Sequence, residues 1–241
     1  MAPFATAEIA AAQESDKGAW THPTATGGPR VRYPARGWSQ ASRHTPPRCR
    51  HQPRLRQTDD MPDPGLTDGV VLLRQWQGSD ADWYADAARD PVIQCYTTEL
   101  PTLTADQVRA AIANLDDQAQ AVGFVVCDAT TSQRQGNIAL YHNAGIGEVS
   151  YWVAASARGR GVATRALRLL SDWAFVTLKL SEIRLWTHKD NVASRLVAEG
   201  AGYRHAPEHD QQRAVKGQVW NTVGYIRPTP GQTTRHPPAT P

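Results

Sequence analysis

The run Glu148–Ala163, EVSYWVAASARGRGVA, constrains the fold more than any other stretch of the chain. A short alternating strand leads straight into an Arg-Gly-Arg-Gly turn, and the turn opens an amphipathic helix that runs to about Leu180. The first N–H groups of any helix lack intrahelical partners. Here glycines let the backbone approach a ligand closely. Arg158 and Arg160 place two guanidiniums at the positive end of the helix dipole. That layout suits a pyrophosphate and points to a nucleotide-bearing cofactor.

Charge has to be split along the chain before it means anything. The 241 residues carry a net charge of +3. Residues 1–60 hold nine of the 26 Lys+Arg and five of the 23 Asp+Glu, so the rest holds 17 and 18 and is slightly acidic. The same 60 residues hold seven prolines and show no sustained period of 2 or 3.6. Too little apolar area is on offer there to offset chain entropy, so residues 1–66 read as a disordered basic Pro/Arg-rich tail. Met61 sits just before the ordered pattern and is a candidate start. A passive tail and a cationic arm for polyanions are the other readings. Residues 229–241 read as a second tail, which leaves 67–228 as the folded domain. No apolar run approaches the roughly 18 residues of a membrane span. The N-terminus lacks the basic and apolar regions of a secretory signal. Cys49, Cys95 and Cys127 match neither a disulfide framework nor a zinc pattern, as expected of reduced thiols in the cytoplasm.

Periodicity and turn chemistry divide the domain. Val70–Trp76 reads as a strand. Ser79 caps a helix to about Arg89, with Asp80 and Asp82 in its first turn. Thr104–Gln107 is a capping box for a helix to about Leu115. Ala121–Asp128, Gly136–His142 and Glu148–Val153 read as consecutive strands. Leu167, Leu170, Trp173 and Ala174 form the core stripe of the following helix. Glu182–Thr187 is a strand, Asp190–Gly200 a short helix, and Gln218–Ile226 a last strand paired near Tyr203–His205. The result is an α/β (α+β) domain with a mixed, mostly antiparallel sheet of about seven strands and about four helices. Trp76, Trp83, Trp173 and Trp186 fit core packing.

The glycine turn has better-known rivals. It is no Walker A loop, because no Gly-Lys-Ser/Thr follows. It is no dinucleotide GxGxxG, because position 164 is threonine. The spacing R-x-x-G-x-A, the run EVSYWVAxxARGRGVATRAL, then DWAF, then DNxASRxVAExxGY together resemble the GNAT N-acetyltransferases, in particular their RimJ/RimL-like branch. The resemblance covers about residues 68–228 and implies a GNAT fold with acetyl-CoA as co-substrate.

The resemblance also implies a site. Tyr151, Trp152 and Val153 would pair with pantetheine, and Arg158, Gly159, Arg160, Gly161, Val162, Ala163 and Thr164 would hold the pyrophosphate. The N–H of Val153 is the oxyanion donor. Glu148 occupies the position of a carboxylate base, with a purely orienting strand carboxylate as the alternative. Asn191 and Ser194 share one helix face. Ser194 is placed near the CoA sulfur or caps the helix; Asn191 contacts CoA and caps. Many relatives carry a tyrosine general acid seven positions after that asparagine, but Ala198 stands there in this chain. The implied acceptor is a primary amine, on a protein N-terminus or a small molecule, and the implied assembly a monomer or homodimer. A CoA-binding module without catalysis is the alternative, and nucleic-acid binding through the tail a more remote one. His142 and His188 lie at strand ends near the expected cleft, while Tyr84, Tyr96 and Trp220 are candidates for its lining. His205 and His209 flank Pro207, which spoils helical metal spacing, so no metal is expected.

Overall fold

The computed structural model describes residues 65–115 and 118–230. The expected tails lie almost entirely outside these residues. Nine strands form one sheet: β1 (Leu66–Thr67), β2 (Val71–Gln75), β3 (Ala121–Asp128), β4 (Arg134–Asn143), β5 (Ile146–Val153), β6 (Glu182–His188), β7 (Arg204–His205), β8 (Gln211–Val215) and β9 (Gln218–Pro228). Five α-helices accompany them among the described residues: α1 (Ala81–Ala88), α2 (Pro91–Tyr96), α3 (Ala105–Ala113), α4 (Val162–Thr177) and α5 (Val192–Gly200). The sheet runs β1-β2-β3-β4-β5-β6-β9-β7, with β8 hydrogen-bonded to β9. Only β5 and β6 pair in parallel among these strands. This is the mixed, mostly antiparallel α/β architecture expected from the sequence.

Each face of the sheet carries its own core. One face packs Leu73, Phe124, Ile138 and Leu140 against Leu167, Leu170 and Ala174 of α4, all at most 1% exposed. These α4 residues are the stripe expected from helical spacing, and each buried leucine contributes roughly 1.5–3 kcal/mol. Trp173, expected in the core, is half-buried at its margin. The other face packs Trp76, Tyr84 and Trp152 with Ala85 and Val108 of α1 and α3. Aromatic edges meet there: Tyr84 lies 5.2 Å from Trp76 and 5.0 Å from Trp152 between ring centroids. Trp83 is half-buried against the same cluster.

Three local readings change. Ser79 makes no cap; Asp80 takes the position before α1 and is fully buried. Its carboxylate accepts from Arg74 (2.7 and 2.9 Å), Arg134 Nε (2.5 Å) and the N–H of Gln77 (2.9 Å). Second, Asp90 and Pro91 start a helix, α2, that hydrophobic spacing does not reveal because it is only six residues long. Third, Gln211–Val215 is a strand, joined to β9 through Lys216 and Gly217, both at positive φ. A two-residue turn with both φ positive matches the twist of a hairpin. The Thr104 box holds: the Gln107 N–H reaches Thr104 Oγ1 at 3.3 Å and Gln107 Oε1 accepts from the Thr104 N–H at 2.9 Å.

Burial opposes ionisation of Asp80, but Arg74, the Gln77 N–H and Arg134 outweigh it and hold the carboxyl below the ordinary carboxylate range. A depressed folded pKa stabilises the fold above the unfolded pKa, and that contribution is lost as pH falls through the folded value. Asp80→Asn leaves two guanidiniums without their anion and should cost about 3 kcal/mol, read as a lower urea midpoint at neutral pH. The variant's stability should also fall less steeply than the wild type's on acidification.

Candidate active site

The site begins where two strands part. Pairing between β5 and β6 is confined to Ile146–Glu182, Gly147–Ile183 and Glu148–Arg184. At this closed end Ser181 donates to the Gly145 carbonyl from both its N–H (2.8 Å) and its hydroxyl (3.0 Å). Gly147 lets the strands meet Leu140 and Leu180, whose methyls would lie 2.8 and 2.9 Å from a Cβ there. Past Glu148 the facing edges, Val149–Val153 and Leu185–His188, no longer pair with each other. The Ala154 N–H bonds the Gln135 carbonyl on β4 at 2.8 Å. Backbone direction alternates along a strand. The N–H groups of Tyr151 and Val153 therefore turn away from β4, into the gap.

The Arg-Gly-Arg-Gly turn closes one end of this gap. Gly159 and Gly161 have φ of 71° and 75°, a region that costs other residues roughly 1–2 kcal/mol. Neither would bring a Cβ within 4 Å of another atom, so conformation, not internal crowding, demands glycine there. Gly161 caps α4 with no side-chain acceptor, which leaves the N–H groups of Val162, Ala163 and Thr164 at an open helix N-terminus. Arg160 is exposed and forms no ion pair among the described residues. Arg158 has another partner. Its Nη2 lies 2.6 Å from Asp90 Oδ1, and its Nε donates to the Val153 carbonyl at 3.1 Å. It thus ties the turn to the start of α2 and to the end of β5. A depression of about 440 Å³ flanks Gly161 along the outer side of α4. Its arginines are already engaged, Arg165 with Asp68 (2.8 Å) and Arg168 with the Gly200 carbonyl.

Alternation along β5 sends the remaining candidates to opposite faces. On the α4/α5 face, Asn191 Oδ1 accepts from the Ser194 N–H at 3.1 Å and caps α5. Ser194 Oγ lies 2.9 Å from the Tyr151 hydroxyl, which also donates to the Ser194 carbonyl at 3.2 Å. Burial pushes the Tyr151 phenol well up from its ordinary value, against the Ser194 hydrogen bond. The structure therefore gathers Asn191, Ser194 and Tyr151, and gives Tyr151 a side-chain partner that a backbone role alone did not foretell. Ala198, where relatives carry a tyrosine, is buried in the core.

On the other face, Glu148 Oε1 accepts from Trp186 Nε1 at 3.0 Å. Trp186 is thus a wall of the cleft and not the core residue expected. The His188 ring meets Trp220 at 5.3 Å and Tyr96 at 6.0 Å between centroids. Tyr84, expected as lining, lies beneath the floor: it is fully buried and donates to Glu99. Trp152 Nε1 donates to the same Glu99 oxygen at 3.2 Å. Burial raises the Glu99 pKa, and the two donors pull against that rise. His142 sits opposite Gly147, where β5 and β6 still pair, and so lies away from the gap. His205 bonds both oxygens of Asp210 at 3.0 Å. No cluster of three metal-binding side chains occurs among the described residues.

Comparison with known proteins identifies the family. Residues 71–204, more than half of the chain, match the acetyltransferase (GNAT) domain family. The chain belongs to the GNAT acetyltransferases. A Bacillus subtilis (strain 168) protein named as a ribosomal N-acetyltransferase, YdaF, is 36% identical over 78 residues, a match spanning 32% of this chain and 43% of that relative. Mycobacterium smegmatis RimJ in complex with CoA-disulfide superimposes with a TM-score of 0.58 at 22% identity, over 66% of this chain and 82% of that one. Vibrio cholerae spermidine N-acetyltransferase in complex with CoA and spermine gives 0.60 at 18%, over 67% and 97%. The resemblance to the RimJ/RimL-like branch is met by these relatives. No helix among the described residues is long and apolar enough to cross a membrane.

Asp90 serves two parts of the site at once. It caps α2 by accepting from the N–H groups of Val92 (3.0 Å) and Ile93 (3.1 Å), and it holds Arg158, which in turn keeps its carboxyl below the usual range. Asp90→Ala should cost about 1 kcal/mol through the lost cap, read by chemical denaturation. Hydrogen exchange at Gly159 and Arg160 should rise in the same variant as Arg158 is released.

Proposed function

We propose that the protein transfers an acetyl group from acetyl-CoA directly to a primary amine within a ternary complex. One observation carries this reading: a parallel strand pair opens beside an uncapped helix N-terminus reached through two left-handed glycines. A pyrophosphate fits the N–H groups of Gly159 to Thr164, with Arg160 adding a free guanidinium. The opened edge of β5, Tyr151 to Val153, offers a pantetheine arm backbone partners that β6 does not use. Acetyl-CoA supplies an activated acyl carbon; the residues around the gap supply position and proton traffic.

The roles divide by face. The Val153 N–H, turned into the gap, donates to the carbonyl oxygen as it gains charge. Glu148 takes a proton from the acceptor amine, directly or through water, with Trp186 fixing one of its oxygens. Ser194, held by Asn191 and backed by the Tyr151 hydroxyl, hydrogen-bonds the departing sulfur. The raised Tyr151 pKa favours its protonated form, so it acts as a donor behind Ser194. The C–S bond breaks, the N–C bond forms, and the proton given up by the amine balances the one taken by the thiolate.

Calorimetry on the full chain should detect acetyl-CoA binding; absence of binding overturns the proposal. Gly161→Glu places a carboxylate and a strained φ at the anion site, so affinity should fall by at least about tenfold with the fold retained. Glu148→Gln should lower kcat/KM by about 100-fold and change the shape of its pH profile. An unaltered profile would eliminate Glu148 as the base.

A further inference from the structure

The face that holds Glu148 also holds a cation that the proposed chemistry leaves unused. The Arg213 guanidinium lies over the Trp186 ring, 4.5 Å from its centroid, and Trp186 is the residue that donates to Glu148. Arg213 is half-buried on β8. Burial lowers its pKa and the nearby Glu148 charge raises it. With its oxygen turned toward Arg213, the Gln211 amide accepts from Nε (3.3 Å) and Nη2 (2.5 Å). Among the described residues no carboxylate forms an ion pair with Arg213. Gln211 takes the Nε–Nη2 edge of the guanidinium, and the Nη1–Nη2 end, held on the indole and in no ion pair, is left for planar oxygen ligands.

The other charges on this face point the same way. Glu99 is buried and already accepts from Tyr84 and Trp152. Glu182 is paired with Arg184 at 2.6 Å. Lys216, at the tip of the β8–β9 hairpin, donates to the Gln94 carbonyl (2.9 Å) and side chain (3.0 Å) on α2. That clip holds the hairpin, and so Arg213, over the cleft. Glu148 remains on this face beside the Arg213 cation, and exposed Asp190 lies 3.8 Å from the His188 ring. A polyamine brings further ammonium groups besides the reacting one, and like charges at such distances repel. A peptide N-terminus brings one amine with a carbonyl beside it, and an acidic side chain one residue on adds a carboxylate.

We propose that Arg213 selects peptide or protein N-termini as acceptors over polyamines, by binding the carbonyl or carboxylate oxygens next to the reacting amine. The inference rests on the assignment of the Glu148 face as the acceptor side. The test uses the full chain with acetyl-CoA, a set of free-N-terminus tetrapeptides with Asp, Ala or Lys at the second position, and spermidine. The wild type should favour the Asp peptides over both the Lys peptides and spermidine by about tenfold or more in kcat/KM. Arg213→Gln should shrink that preference about tenfold and Arg213→Glu should reverse it, mainly through KM. Acetyl-CoA affinity, measured by calorimetry, reports that each variant is folded, and the comparison of wild-type peptides needs no variant. An unchanged peptide-to-spermidine ratio in both variants, or a wild type that prefers spermidine or Lys peptides, overturns the role of Arg213 while acetyl transfer stands. Transfer to other amines but to none of these acceptors has the same meaning. Absence of transfer to any amine overturns the acetyltransferase reading and this inference with it.

Discussion

Everything functional in this molecule depends on the short parallel pairing of β5 and β6. Three residue pairs hold the strands together, and the Ser181 clamp on Gly145 fastens that end. Gly147 lets the chain pack closely there, and the strands part beyond Glu148. The Tyr151 side chain reaches across to Ser194 on α5, and Trp186 stands against Glu148 on the opposite face. A continuous sheet would satisfy every backbone group of β5 internally. The divergence leaves a strand edge with donors and acceptors available to a ligand in the middle of the sheet.

The opening is braced from both sides. On one, α4 packs its leucine stripe onto the sheet and presents its N-terminus at the gap. On the other, Trp152 is locked into the aromatic cluster of α1 and bonded to buried Glu99. Asp80 anchors the start of α1 to β2 and β4 through two arginines. Arg158 then links the turn, β5 and α2 in one network. A guanidinium expected beside a phosphate also ties these segments together, and Arg160 is the exposed one. Residue type and spacing do not separate these two arginines. Their difference comes from Asp90, 68 positions away along the chain.

Much of the glycine-turn side of the gap was legible because it is local. Strand, glycine turn and helix are consecutive, and the Asn191/Ser194 cap spans four residues. The Glu148 side was not, because its walls come from short or irregular pieces. Helix α2 has six residues, too few for periodicity to register, although Asp90-Pro91 marked its start. Strand β8 alternates little, and its signal was the Lys216-Gly217 turn. Trp186 and Tyr84 exchanged expected places. Aromatic residues suit a core and a cleft wall equally well, and only the sheet register decides which face each one occupies.

By itself, the sequence determined the mixed sheet, the glycine turn that opens a helix and the GNAT resemblance, because each rests on neighbours within a few residues. Tertiary structure alone decided which side chains share the gap. It set Tyr151 against Ser194, diverted Arg158 to Asp90, buried Tyr84 and put Arg213 over Trp186. Those partners come from distant segments. Strand register and helix packing bring them within reach, and no local pattern encodes that choice.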